Sequence, residues 1–386
     1  MDIVLGVILG VIVLTILVVL HELGHALVAK RYGVVVEEFG VGFPPRAWGK
    51  KIAHSILGKN VLYSINWLPL GGFVKLQGEH DSATKKGDYG SVTFWQKTQI
   101  LLAGVAMNWL TAAVLLSILA AVGMPSILKD QFYVPGDAQI ITQPVELVAV
   151  TKDMPADKAG LRQGDKILRF AGSSLDSATE LAELAKQQKG KTVEVIYSRQ
   201  SVEGSTKVTL RADNGDKKGY LGASPSQMAV IKSSWSAPIV GVGLTAQMSW
   251  VTIQGLGDVL SNTVQGLVLK LSPQKADQQT ANTKLAAVGD SVAGPIGIFG
   301  IIFPAAEKAG LTHVVMLAAI ISLTLAVMNI LPIPALDGGR WFVTALFKLL
   351  KKPLTKEIEE KIHGTGFMVL MALVLLVTIA DIGKLR

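Results

Sequence analysis

His21, Glu22 and His25 stand in the order His-Glu-Leu-Gly-His, at the end of an apolar stretch with no charged side chain from Ile3 to Leu20. On a helix, positions four apart lie one turn apart on one face, so His21 and His25 can reach a single Zn²⁺. Glu22 falls on the same side and is the candidate catalytic residue. It can take a proton from water that zinc has acidified and return it to a leaving amine. Gly24 thins that face, which leaves room for a substrate to approach. Histidine and glutamate are rare and costly inside apolar segments, so the motif reads as chemistry rather than chance.

The element that must carry these residues is a membrane-spanning helix. A helix rises ~1.5 Å per residue, which places His21 ~27 Å along from Ile3, close to the ~30 Å hydrocarbon thickness. The centre then lies near one bilayer face, where water reaches it. A metal placed there also points to a substrate within the membrane.

Composition agrees. Half of the 386 residues are hydrophobic and few are aromatic. The chain contains no cysteine, which excludes disulfides, thiol chemistry and thiolate ligands. The net charge of +8 belongs in loops flanking membrane spans rather than on a nucleic-acid surface. The first segment does not read as a cleavable signal peptide, since no basic residue precedes it and no small-x-small site follows.

About four transmembrane helices are expected: Ile3–Val28, a second centred on Leu101–Val122, a third between Lys308 and Asp337, and a short one at Gly364–Ala380. Lysine and arginine crowd Lys30–Lys97 and the segment after the third span, which makes both cytoplasmic and puts the long region between spans two and three outside. Both termini then lie outside. Ser233–Gly257 and Ser291–Ala306 are uncharged or apolar but diluted or broken, and read as surface-lying or re-entrant. Ser272–Asn282 reads as a polar loop. The expected parts are 1–126 with the metal motif, a cytoplasmic β-hairpin and the second span; 127–228, an α+β domain; 229–308, an amphipathic or re-entrant linker; and 309–386, a second membrane part.

Two histidines leave a zinc site one protein ligand short. Asp337, in Asn329-Ile-Leu-Pro-Ile-Pro-Ala-Leu-Asp-Gly-Gly339, closes the third span at the bilayer face of His21 and is the candidate third ligand. Pro332 and Pro334 break that helix and leave carbonyls unpaired nearby. His54 and His80 lie in basic loops, His363 starts the last span, and His313 lies at the far end of span three; none is expected to be a ligand.

These motifs, their order, Gly104-Val-Ala-Met-Asn108 and the inserted domain together resemble the site-2 protease family, nearest its bacterial regulator-of-sigma-E protease branch. The inserted domain resembles a bacterial PDZ domain through Met154-Pro-Ala-Asp-Lys-Ala-Gly-Leu-Arg-Gln-Gly-Asp-Lys-Ile167, though Ala171-Gly172 stands where that family has Asn-Gly. It is one domain, where the proteobacterial branch has two in tandem. Leu62–Leu76 resembles the family's membrane-associated β-hairpin, with Pro69 and Gly71-Gly72 at its turn.

The resemblance implies a zinc-dependent intramembrane endopeptidase of the bacterial inner membrane, with its active site near the cytoplasmic face and the PDZ-like domain outside. It implies His21, His25 and Asp337 as metal ligands, Glu22 as catalytic residue, and Asn329, Pro334, Asn108 and Gly72 against the substrate. The substrates it implies are single-span anti-sigma factors or remnant signal peptides. A hairpin edge strand could take up an unwound substrate as an added strand. Competing possibilities are a catalytically inactive PDZ-containing membrane adaptor and a zinc-dependent transporter. His21, Glu22, His25 and Asp337 occurring together argue against the adaptor, and the expected spans carry no further intramembrane carboxylates or histidines of the kind a transporter would need.

Overall fold

A computed structural model describes residues 2–128, 130–175, 177–215, 218–291 and 293–384. Their contacts separate into two compact units, 1–119 with 237–386, and 120–236.

Helix α1, Asp2–Arg31, is the apolar stretch with its motif. It stops where Lys30 and Arg31 meet the negative end of the helix dipole and Gly33 takes a φ of +78°. Two long strands follow, β1 at Val36–Ser55 and β2 at Gly58–Leu76. The turn between them falls at Ile56-Leu57, not at Pro69 and Gly71-Gly72 as the sequence suggested. Those residues instead bend β2 back on the sheet. Glu38–Val41 consequently has Leu62–Ile65 on one side and Gly72–Lys75 on the other.

The bend packs on α1. The Thr15 hydroxyl donates to the Pro69 carbonyl at 2.8 Å, and Gly71, with φ +85°, rests against Val18. Ala26, Ala29, Val34, Val36, Leu57 and Val61 form the core beneath. Burial of each larger side chain there contributes roughly 1.5–3 kcal/mol. Helix α2, Phe94–Val122, follows.

The second unit holds two sheets. Strands β3 (Met124–Pro125) and β4 (Gln139–Thr142) flank β11 (Ala229–Lys232). The larger sheet runs β10-β5-β6-β8-β9, with β5 at Val145–Val150, β6 at Lys166–Phe170, β8 at Thr192–Arg199, β9 at Val202–Thr209 and β10 at Ala223–Ser226. A short β7, Ser173–Ser174, pairs with β6. Helix α3 spans Pro155–Lys158, and α4 spans Ala178–Gln187. Ser177 caps α4 by accepting the Glu180 N–H at 3.0 Å. Leu181 and Ala185 of α4 join Val145, Leu147, Ile167 and Phe170 in one buried core.

Back in the first unit, α5 is an unbroken helix over Ala237–Lys270. The expected surface-lying or re-entrant segment at Ser233–Gly257 is thus, from Ala237 on, part of one continuous helix. Among the described residues, five helices are long and apolar enough to cross a membrane, by length and composition, and α5 is one of them. Its serines, threonines and glutamines dilute the apolar signal, yet several return their hydroxyls to their own helix. Thr245 donates to the Gly241 carbonyl and Ser249 to that of Thr245, each at 2.7 Å. The expected polar loop at Ser272–Asn282 is largely helix α6, Lys275–Ser291, folded back on α5 with Leu285 against Gly266.

Short helix α7, Pro295–Gly297, a π turn at Ile298–Ile302, and α8, Phe303–Ala309, form a broken segment. It packs on α1, with Pro304 at Gly6 and Phe303 at Gly10. Asp381 accepts the Gly297 N–H at 2.8 Å and so fixes the start of this segment. Then come α9, Leu311–Ile330, α10, Asp337–Leu349, and α11, Lys356–Lys384, which is longer than the expected short span. The chain thus reaches the amino-terminal end of α1 just before α9 starts, and α9 delivers Asp337 to the carboxy-terminal end of α1.

Candidate metal centre

Two helices supply the three residues of the cluster. His21 and His25 come from α1, and Asp337 is the first residue of α10. Their ligand atoms all lie within 4.8 Å of one another, the only such cluster of three among the described residues. His21 Nε2 is 3.0 Å from Asp337 Oδ2 and 3.1 Å from His25 Nε2, and His25 Nε2 is 3.3 Å from Asp337 Oδ2. A tetrahedral zinc ion with bonds of about 2.0–2.1 Å holds its ligand atoms roughly 3.3 Å apart. The spacing and the donor set, two imidazoles and a carboxylate, therefore fit zinc with a fourth position open.

Helix α2 closes the back of the site. The His25 Nδ1–H donates to the Ile100 carbonyl at 2.7 Å, which leaves Nε2 free as a ligand. At Gly104 a methyl group would sit 2.4 Å from His25 Nε2 and 2.6 Å from His21 Cε1. Only glycine admits the two rings. Gly24 has a different role from the expected one: a side chain there would meet the Ala103 carbonyl oxygen at 2.5 Å. Its small size brings α1 onto α2 and opens no space for substrate.

Asn108 is fully buried, with its amide 3.2 Å from His21 Nδ1. The Glu22 carboxylate accepts the Val74 N–H at 3.1 Å, a bond from β2 that local sequence could not reveal. Gly72 lies in the same stretch of β2, where a side chain would strike the Gly40 carbonyl oxygen at 2.8 Å.

Asp337 is held by a tightly folded loop. Gly338 and Gly339 leave no room for side chains against the Ile330 and Ile333 carbonyls, and Gly366 of α11 sits directly on Pro334. Ala335, with φ +83°, donates its N–H to His363 Nδ1 at 3.2 Å. His363 therefore buttresses the ligand loop, a role the sequence did not reveal. Asn329 is half-buried in the last turn of α9. A cavity of about 280 Å³ adjoins Asp337, lined by Glu79, His80, Arg340, Glu359 and His363 among others.

These features define a metallopeptidase with its metal motif on a membrane-length helix. The model of peptidase family M50 matches residues 9–373, so the chain belongs to that family, the site-2 proteases. A Clostridium perfringens relative, named as a proposed zinc metalloprotease, is 29% identical over 366 residues, 95% of each chain. The zinc metalloprotease RasP of Geobacillus kaustophilus is 26% identical, covering 97% of each chain. The regulator of sigma-W protease RasP of Bacillus subtilis is 25% identical, again over 97% of each. The chain is accordingly a metalloendopeptidase of the site-2 type, and its cofactor is zinc.

Proposed function

We propose that this enzyme cuts membrane-embedded segments of other proteins, with His21, His25 and Asp337 as zinc ligands and Glu22 as general base. The observation that supports this most is the meeting of those three residues in the carboxy-terminal half of one long apolar helix and just beyond the end of another. Zinc supplies Lewis-acid polarisation of water and of the scissile carbonyl. Glu22, oriented by the Val74 N–H, takes the proton of the attacking water and hands it to the departing nitrogen.

A transmembrane helix resists cleavage because its carbonyls are bonded internally, so the substrate must unwind locally and its freed groups must find partners. The stretch of β2 beside Gly72 offers an added-strand partner. Asn329 and the carbonyls around Pro334 offer further polar contacts. Trp48 and Trp67 are exposed on the hairpin near Lys50 and Lys51, a composition suited to the membrane interface.

The substrates we propose are single-span anti-sigma factors already shortened by a first protease, or remnant signal peptides. The name of the Bacillus subtilis relative favours the first. The enzyme would lie in the bacterial inner membrane, with its zinc near the cytoplasmic face and the PDZ-like domain outside.

The test separates metal from chemistry. Glu22→Gln is expected to keep stoichiometric zinc and lose cleavage of a reporter transmembrane helix. His21→Ala and Asp337→Ala are expected to lose zinc as well. An Asp337→Ala enzyme with normal zinc content and normal cutting would refute the ligand assignment.

A further inference from the structure

We infer that Asn108 is the positioning residue of His21: its amide oxygen accepts the His21 Nδ1–H and thereby fixes which ring nitrogen faces the metal. This rests on the zinc-ligand assignment above and goes beyond it.

Three observations carry the inference. Asn108 has no exposed surface, and its Nδ2 lies 3.2 Å from His21 Nδ1. Its Oδ1 is buried without a hydrogen-bond partner. His21 Nε2 points at His25 and Asp337, so Nε2 is the metal-facing nitrogen.

An imidazole that offers Nε2 to a metal carries its remaining proton on Nδ1, and that proton needs an acceptor. An amide nitrogen cannot serve. Half a turn about the last side-chain bond exchanges the amide oxygen and nitrogen, which have nearly the same shape. The oxygen then meets the Nδ1–H that a metal-bound His21 must carry, and the amide nitrogen takes the position where the oxygen had no partner.

The sequence spacing makes α2 a template. Ile100, Gly104 and Asn108 are four apart and share one helical face. Ile100 holds His25 by its carbonyl, Gly104 leaves space for both rings, and Asn108 holds His21 by its side chain. Asn108 is itself fixed at the backbone, where its carbonyl accepts the Ser322 hydroxyl of α9 at 2.8 Å. That bond survives any side-chain substitution, so it does not confound the test.

The experiment measures zinc affinity of the full-length protein in detergent by competition with a chromophoric chelator. Asn108→Leu preserves bulk and removes the acceptor. It is expected to weaken zinc about 10- to 100-fold, the usual cost of losing a partner behind a metal-bound histidine. Asn108→Asp keeps an acceptor and cannot donate, and is expected to stay within a few-fold of wild type. Unchanged affinity in Asn108→Leu overturns the inference. Equal losses in both variants also overturn it, because they mark a packing role or a donating amide. His21→Ala tests the underlying assignment separately. If it leaves affinity unchanged, the metal site is wrong and this inference falls with it.

Discussion

The Val74 N–H donates to the Glu22 carboxylate across 3.1 Å, although 52 positions separate the two in sequence. Val74 lies opposite Phe39 within β2, in the stretch that bends back along Glu38–Val41. The same strand therefore orients the candidate base and borders the site. A carboxylate anchored by one oxygen keeps the other directed at its proton donor, and a charged hydrogen bond of this kind is worth roughly 1.5–3 kcal/mol.

Val74→Pro deletes that N–H at an edge position where proline is tolerated. The expected result is a fall in kcat of about tenfold or more, from the hydrogen bond lost, with zinc content unchanged. Steady-state cleavage and metal analysis on one preparation decide it. A kcat equal to wild type would show that Glu22 needs no such anchor.

The three candidate ligands were legible because their signal is local. His21 and His25 are one helical turn apart, and Asp337 ends an apolar run. Gly104 and Asn108 were legible only through resemblance, since nothing in their spacing says which face of α2 meets α1. The contacts of Glu22 with Val74 and of His363 with Ala335 join distant segments and leave no trace in hydropathy. Helix α5 was harder to read because Thr245, Ser249 and Thr252 look polar, yet each bonds to its own helix backbone. Strand β2 was half seen: Pro69 and Gly71 do mark a bend, but the strand continues through it.

Arg340 lies one turn beyond Asp337 and is tied to α11. Its guanidinium is 3.4 Å from Glu359 and 4.6 Å above the Tyr89 ring, while Glu359 also accepts the Asp81 N–H at 2.8 Å. Glu359→Ala leaves both donors unpaired and is expected to cost roughly 2–4 kcal/mol. The double variant with Arg340→Met should be less destabilised than the two single losses summed. Thermal unfolding of the four proteins tests this, and strict additivity would show that the pair does not couple.

The second unit contains its own pH-sensitive pair. Arg199 donates to Asp165 through Nε at 2.7 Å and Nη2 at 2.8 Å, and the Arg162 N–H donates to the same carboxylate at 2.8 Å. Burial acts to raise this carboxyl, and those hydrogen bonds outweigh it, so it sits below its ordinary 3.8. A carboxyl lowered on folding contributes stability above the unfolded value and loses it as pH falls through the folded one. Wild type should therefore lose urea resistance as pH drops below about 4, the unfolded value. Asp165→Asn should be weaker at pH 7 and flatter with acid. Parallel curves for the two proteins would count against the pair.

Membrane orientation yields the last prediction. Between Lys86 and Val202 the chain passes along α2, whose 29 residues would extend ~44 Å, more than the ~30 Å of hydrocarbon. Basic residues gather around Lys86 and Lys352, and such segments stay in the cytoplasm. Because the chain has no cysteine of its own, single introduced thiols report cleanly. Lys86→Cys and Lys352→Cys, both at exposed positions, are expected to react with an impermeant maleimide only in inverted vesicles. Val202→Cys, at a position 70% exposed, is expected to react in intact cells once any outer barrier is opened. Protection of all three in intact cells, with all three reacting in inverted vesicles, would place Val202 on the same side as the two basic segments.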